Sequence, residues 1–116
     1  MRIKCYCNLY VSSLLEKRKN EVIKRLMERK IQPDVTVITL AQGEQNQLEF
    51  FSTVFLKQHY YDEKELFVVG LAFGEMDAAM MVADITQEVL NQTGTTDIKQ
   101  YILHQQKLFK EGTAAR

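Results

Sequence analysis

A chain of 116 residues, 46% hydrophobic and 26% charged, fits one globular domain burying roughly two thirds of its unfolded surface, which excludes disordered and fibrous classes. Fifteen basic and fifteen acidic side chains cancel, so net charge exerts no pull towards nucleic acid or an anionic membrane. The longest run without a polar side chain, Leu66 to Phe73, is far short of the ~20 residues that cross a bilayer, so no membrane span is expected.

From the amino terminus, Arg2 and Lys4 precede a short apolar stretch that Asn8 interrupts, and no small-residue cleavage site follows. A signal peptide is not expected. Residues 2 to 12 alternate: Ile3, Cys5, Cys7, Leu9 and Val11 share one side, Arg2, Lys4, Tyr6, Asn8 and Tyr10 the other. One wet side predicts an edge strand. The two cysteines, two residues apart, cannot close a disulfide framework and are expected to face the core of a cytoplasmic protein. A zinc site would need further ligands at workable spacing, and His59 and His104 stand far along the chain; no metal is expected.

Ser13 and Glu16 have capping-box spacing and predict a first helix with Leu15, Val22, Ile23, Leu26 and Met27 on its buried stripe. The segment EKRKNEVIKRLMERK carries seven basic and three acidic residues but no aromatics, so nucleic-acid binding is not expected; Glu21 with Lys24 and Arg25 looks like ordinary helix-surface pairing. VTVITLA, residues 35 to 41, predicts a second strand. A second helix is expected from about Gln45 to Tyr61, with Leu48, Phe51 and Phe55 on one face and Phe50, Val54 and Tyr61 on another. Apolar on two sides, it would need covering on two sides, more than a small sheet provides.

LFVVGLAF predicts a third, central strand beside the second, feeding a third helix from about Glu75 to Gln92 that Gly94 closes. Ala78, Ala79, Val82, Ala83, Ile85, Val89 and Leu90 form its predicted stripe and leave Met76, Met80 and Met81 outside, as adaptable interfaces do. Thr96 is expected to cap a fourth helix with Ile98, Tyr101, Ile102, Leu108 and Phe109 inward, before a frayed tail, residues 111 to 116. The expected architecture is therefore α/β: a small three-stranded, mainly parallel sheet with four helices, βαβαβαα, forming a single domain over residues 1 to 110.

Charge is uneven. Residues 1 to 30 hold nine basic and three acidic side chains, whereas between Lys64 and Lys99 there are six acidic and no basic ones, so the molecule should be electrically polar. The natural ligand position in an open parallel sheet is the loop after the central strand: Gly70, Ala72, Phe73, Gly74 and Asp77, at a helix amino terminus that attracts anions. GLAFGEMDA lacks the Lys and hydroxyl of a phosphate loop, and Glu75 and Asp77 already complement the helix dipole. His59 at the end of the predicted second helix and a solvated His104 have no nucleophile arranged beside them, so neither a catalytic site nor a cofactor is expected.

The strings QPDVTVITL, LFVVGLAFGEMDAAMMV and EVLNQTGTTDIKQYIL resemble a small bacterial α/β family to which no activity is assigned. The resemblance spans most of the chain from Gln32 onward and implies a bacterial, cytoplasmic protein; it carries over no catalytic residue. The expected function is non-catalytic: self-association, a dimer first, or binding of another protein, through Phe50, Val54, Tyr61, Met76, Met80 and Met81. The alternative is binding of a small anionic metabolite at the Gly70 to Asp77 loop.

Overall fold

The computed structural model describes residues 2–42, 46–57 and 65–112. Four strands, β1 (Arg2–Val11), β2 (Val35–Leu40), β3 (Leu48–Ser52) and β4 (Glu65–Phe73), form one sheet in the order β1-β4-β2-β3. Helix α1 (Lys19–Met27) follows a single 3₁₀ turn (Glu16–Arg18); α2 (Gly74–Thr93) and α3 (Ile98–Lys110) complete the described elements. The α/β class holds, but the sheet is mixed. Only β1 and β4 pair in parallel, while β2 runs antiparallel to both β3 and β4.

The largest correction concerns the predicted second helix. Residues 48–52 are instead an edge strand, with a 3₁₀ turn at Thr53–Lys57 behind it, so there are four strands rather than three and three α-helices rather than four among the described residues. A strand explains two-sided apolarity without any unusual burden: Phe51 packs on the α1 side of the sheet and Phe50 on the α2 side. The pairing is also dictated locally. Only residues 41–47 separate β2 from β3, too few for the dozen or more of a parallel crossover, and Ala41 N–H bonds the Gln47 carbonyl across the connection at 3.1 Å.

As expected, β1 is an edge strand and β4 is central beside β2. Two cores flank the sheet. On one face Leu15, Val22 and Leu26 pack against Val35, Val37, Leu66, Val68 and Leu71. On the other, Ile85 and Val89 of α2 and Ile98 and Ile102 of α3 cover Tyr6, Leu40 and Val69. Each such fully buried aliphatic side chain contributes roughly 1.5–3 kcal/mol relative to exposure. The radius of gyration, 13.8 Å, is close to the roughly 13 Å of a single domain of this length.

Helix ends differ in detail from expectation. Ser12, not Ser13, turns the chain out of β1: its N–H bonds the Leu71 carbonyl at 2.9 Å and its hydroxyl accepts from Leu14 N–H at 3.2 Å. Helix α1 stops in a left-handed cap at Arg29, φ +56°, where Lys30 N–H reaches the Arg25 carbonyl and Arg29 N–H the Leu26 carbonyl. The Arg29 guanidinium crosses to the Leu56 carbonyl, which ties the strained cap to the 3₁₀ turn. Asp97, rather than Thr96, caps α3 by accepting from Gln100 N–H at 3.2 Å, and Gly94 closes α2 at φ +77° as predicted.

Candidate functional site

A local irregularity of β1 builds a sizeable cleft. Between the pairs Cys5↔Val68 and Tyr10↔Gly70, β1 advances five residues while β4 advances two. The surplus chain has no partner in the ladder there, a bulge larger than the usual single extra residue. Tyr6, Asn8 and Tyr10 there line a cleft of about 500 Å³ whose other wall comes from Glu88 and Gln92 of α2 and Tyr101 of α3.

The strand's predicted wet side is thus covered: Tyr6 is only 3% exposed, because α2 and α3 lie over that face. A tyrosine suits such a place, being apolar in the ring and polar at the tip. Its ring sits 6.3 Å from that of Tyr10 and 6.2 Å from that of Phe67, tilted against both. Tyr10 donates its hydroxyl hydrogen to the Glu88 carboxylate. The same bulge separates the cysteines, Cys5 joining the α1-side core and Cys7 the opposite one, so they share no face. Cys7 N–H is bonded by the Gln106 side-chain carbonyl at 2.8 Å.

Burial sets the protonation of the cleft. It pushes the Tyr6 phenol up to about 12, an effect that the hydrogen bond from Asn8 opposes and the nearby Tyr101 reinforces. For Tyr10, burial comes first and the hydrogen bond and charge of Glu88 follow, all raising it further above its ordinary value. Both phenols are therefore neutral hydroxyls at physiological pH. Burial likewise raises the Cys5 thiol and makes it a poor nucleophile.

The loop anticipated as a ligand site is divided. Gly70 and Ala72 lie buried beneath α2. Phe73 is exposed, its N–H taken by the Asp77 carboxylate at 2.8 Å, and Gly74, at φ +82°, gives its N–H to the Asp34 carbonyl at 3.1 Å. Gly74 borders a cleft of about 380 Å³ with Phe50, Phe55 and Glu75; Asp77 borders another of about 310 Å³ with Ser12, Met80 and Asp84. The first-turn donors of α2 are thus partly engaged and flanked by two carboxylates.

Of the anticipated interface residues, Met76 and Met80 are 82% and 64% exposed on the outward side of α2, while Met81 turns inward against Gly70. Val54 is exposed and Phe50 half-buried; Tyr61, like His59, falls outside the described residues. Helix α2 is rotated from the predicted stripe: Ala78, Ile85 and Val89 are buried, whereas Ala79, Ala83 and Leu90 face solvent. His104 is exposed, as expected. Among the described residues no group of three His, Cys, Asp or Glu side chains is placed to hold a metal, and no helix is long and apolar enough to cross a membrane. Sequence reading missed the tyrosine cleft, whose one signal was three aromatic hydroxyls alternating or recurring with amides at Tyr6, Asn8, Tyr10 and Tyr101.

No family model, curated protein or solved structure matches the chain.

Proposed function

We propose that this protein acts by association with a second copy of itself, through the outward surface of α2 and α3, rather than by catalysis. The observation carrying this reading is the apolar outer face of α2, where Met76 and Met80 stand at 82% and 64% exposure beside Ala79 and Ala83. Flexible methionines on a helix face suit an adaptable interface.

Charge complementarity selects a second copy as the occupant. Helix α2 holds Glu75, Asp77, Asp84 and Glu88 and no base; α3 holds Lys99, Lys107 and Lys110 and no acid. The two helices touch and cover the same face of the sheet. A two-fold pairing that lays α2 on the partner's α3 satisfies both charges twice, whereas α2 against α2 would oppose like charges. Leu103 on α3 supplies an exposed apolar counterpart to the methionines.

The α1 surface offers less to a nucleic acid than its composition suggests. Arg18 pairs with Asp34, Arg25 with Glu21 at 2.7 Å and Lys30 with Glu28 at 3.4 Å, so part of its charge is balanced locally. A cytoplasmic setting belongs to the same reading, supported by the two free thiols.

Light scattering during size-exclusion chromatography tests the proposal. At tens of micromolar the wild type should show twice the chain's mass, and Met76→Lys with Met80→Lys should halve it while leaving the circular dichroism spectrum intact. A wild type of single-chain mass would overturn it.

A further inference from the structure

The dimer face leaves the tyrosine cleft unused, and its chemistry is of one kind. The cleft is lined by Tyr6, Tyr10 and Tyr101, by Glu88, by the amide-bearing Asn8, Gln92 and Gln105, and by Leu9; no basic residue lines it. Aromatic faces carry negative potential and attract cations, more strongly when desolvated. An anion would meet the Glu88 carboxylate with no basic side chain to compensate. A neutral apolar ligand would gain nothing from the Glu88 charge and would desolvate it.

Shape agrees with charge. The cleft volume, about 500 Å³, lies within the roughly 300–1,000 Å³ of small-molecule sites. Its aromatic part is already fixed: Tyr6 is buried against Phe67 and held by Asn8, and Tyr10 is anchored through its hydroxyl to Glu88. Little ordering is left for a ligand to impose, which favours binding. The bulge between Cys5 and Tyr10 sends Cys5 and Cys7 to opposite cores and, where β1 leaves its pairing with β4, it also opens this cleft.

We infer that the cleft is a binding site for a small organic cation, an alkylated ammonium group received between Tyr10 and Tyr101 and balanced by the Glu88 carboxylate. Quaternary and primary ammonium ions share this chemistry and differ in how much they gain from rings as against the carboxylate. A methylated ammonium draws more on the aromatic walls and a primary amine more on Glu88.

Two-dimensional NMR titration of the full chain with choline, its uncharged carbon isostere 3,3-dimethylbutan-1-ol and ethanolamine distinguishes the outcomes. Choline should shift the amides of residues 6–10, 88 and 101 in a saturable way, and the isostere should bind at least about tenfold more weakly. Glu88→Gln, a surface change that should preserve the fold, and Tyr101→Leu, which keeps an apolar side chain in place, should each weaken choline by about tenfold. Ethanolamine binding more tightly than choline would identify a primary amine as the ligand form and still support a cation site. Equal affinity for choline and its isostere, or no saturable shift with either ammonium compound, would overturn it, as would Glu88→Gln and Tyr101→Leu both binding like the wild type.

Discussion

Tyr6 illustrates how one side chain can contradict its neighbours' pattern and still stabilise the fold. Surrounded in sequence by Cys5, Cys7 and Asn8, it looks like the solvent side of an edge strand, yet burial beneath α2 and α3 leaves it 3% exposed and raises its phenol to about 12. That shift has a direction in stability. An unfolded tyrosine titrates near 10, so below about pH 10 the phenol is neutral in both states and the buried ring contributes fully. Between about 10 and 12 the unfolded chain releases the proton while the folded one retains it, and the unfolded state gains. Stability should therefore fall as pH rises through this window, with Tyr10, also raised, acting in the same sense. Urea midpoints measured from about pH 8 to about pH 12 should decline, and Tyr6→Phe should flatten part of that decline. An equal slope in the two proteins would show that Tyr6 titrates as an exposed phenol.

Elements were legible where one period dominated. Residues 35–40 are rich in β-branched side chains, residues 66–73 are an unbroken apolar run, and Gly94 marks the end of a helix that departs from expectation only in rotation. Residues 48–57 failed because LEFFSTVFLK satisfies a helical and a strand period at once. The aromatic and β-branched residues there favour a strand, and the short link from β2 decides it. Rotation of α2 was illegible for a different reason: it carries apolar side chains on two sides, so the sequence does not say which stripe the sheet takes. Gly70 settles that. A Cβ there would come within 2.8 Å of the Met81 sulfur and 3.4 Å of Ile38 Cδ1, so the bare backbone makes room for Met81 and fixes which side of α2 lies down. Gly70→Ala should accordingly cost about 1–3 kcal/mol by overpacking. Shortening the obstructing side chain with Met81→Ala should make the combined loss smaller than the sum of the two single losses by about 0.5 kcal/mol or more, a coupling measurable by a double-mutant cycle in urea. Strict additivity would mean that α2 is positioned by other contacts.

At the scale of the whole molecule, the uneven charge read along the chain becomes a spatial arrangement. The basic α1 and the acidic α2 lie on opposite faces of the sheet, and the basic α3 lies beside α2. Two-fold association of α2 with the partner's α3 makes a prediction that nonspecific stickiness does not. Reversing α2 alone, with Glu75→Lys, Asp77→Lys and Asp84→Lys, leaves Glu88 as its one acid and makes both of its outward helices basic; reversing α3 alone, with Lys107→Glu and Lys110→Glu, leaves Lys99 as its one lysine and makes both acidic. Each variant then faces itself with like charges across both contacts and should remain monomeric. Mixed together, the two restore opposite charges at both contacts and should form a one-to-one heterodimer. The reversed charges at helix ends cost each fold something, typically 0.3–1 kcal/mol per site, so circular dichroism melting accompanies the mixing. Native mass spectrometry reads the result directly, because heterodimer and homodimers differ in mass. Because the paired charges are solvent-facing, the heterodimer should weaken as salt rises past about 0.1 M, where the screening length falls to about 10 Å. Homodimers persisting in either single variant would show that charge does not choose the partner, and the methionine face alone would then have to account for association.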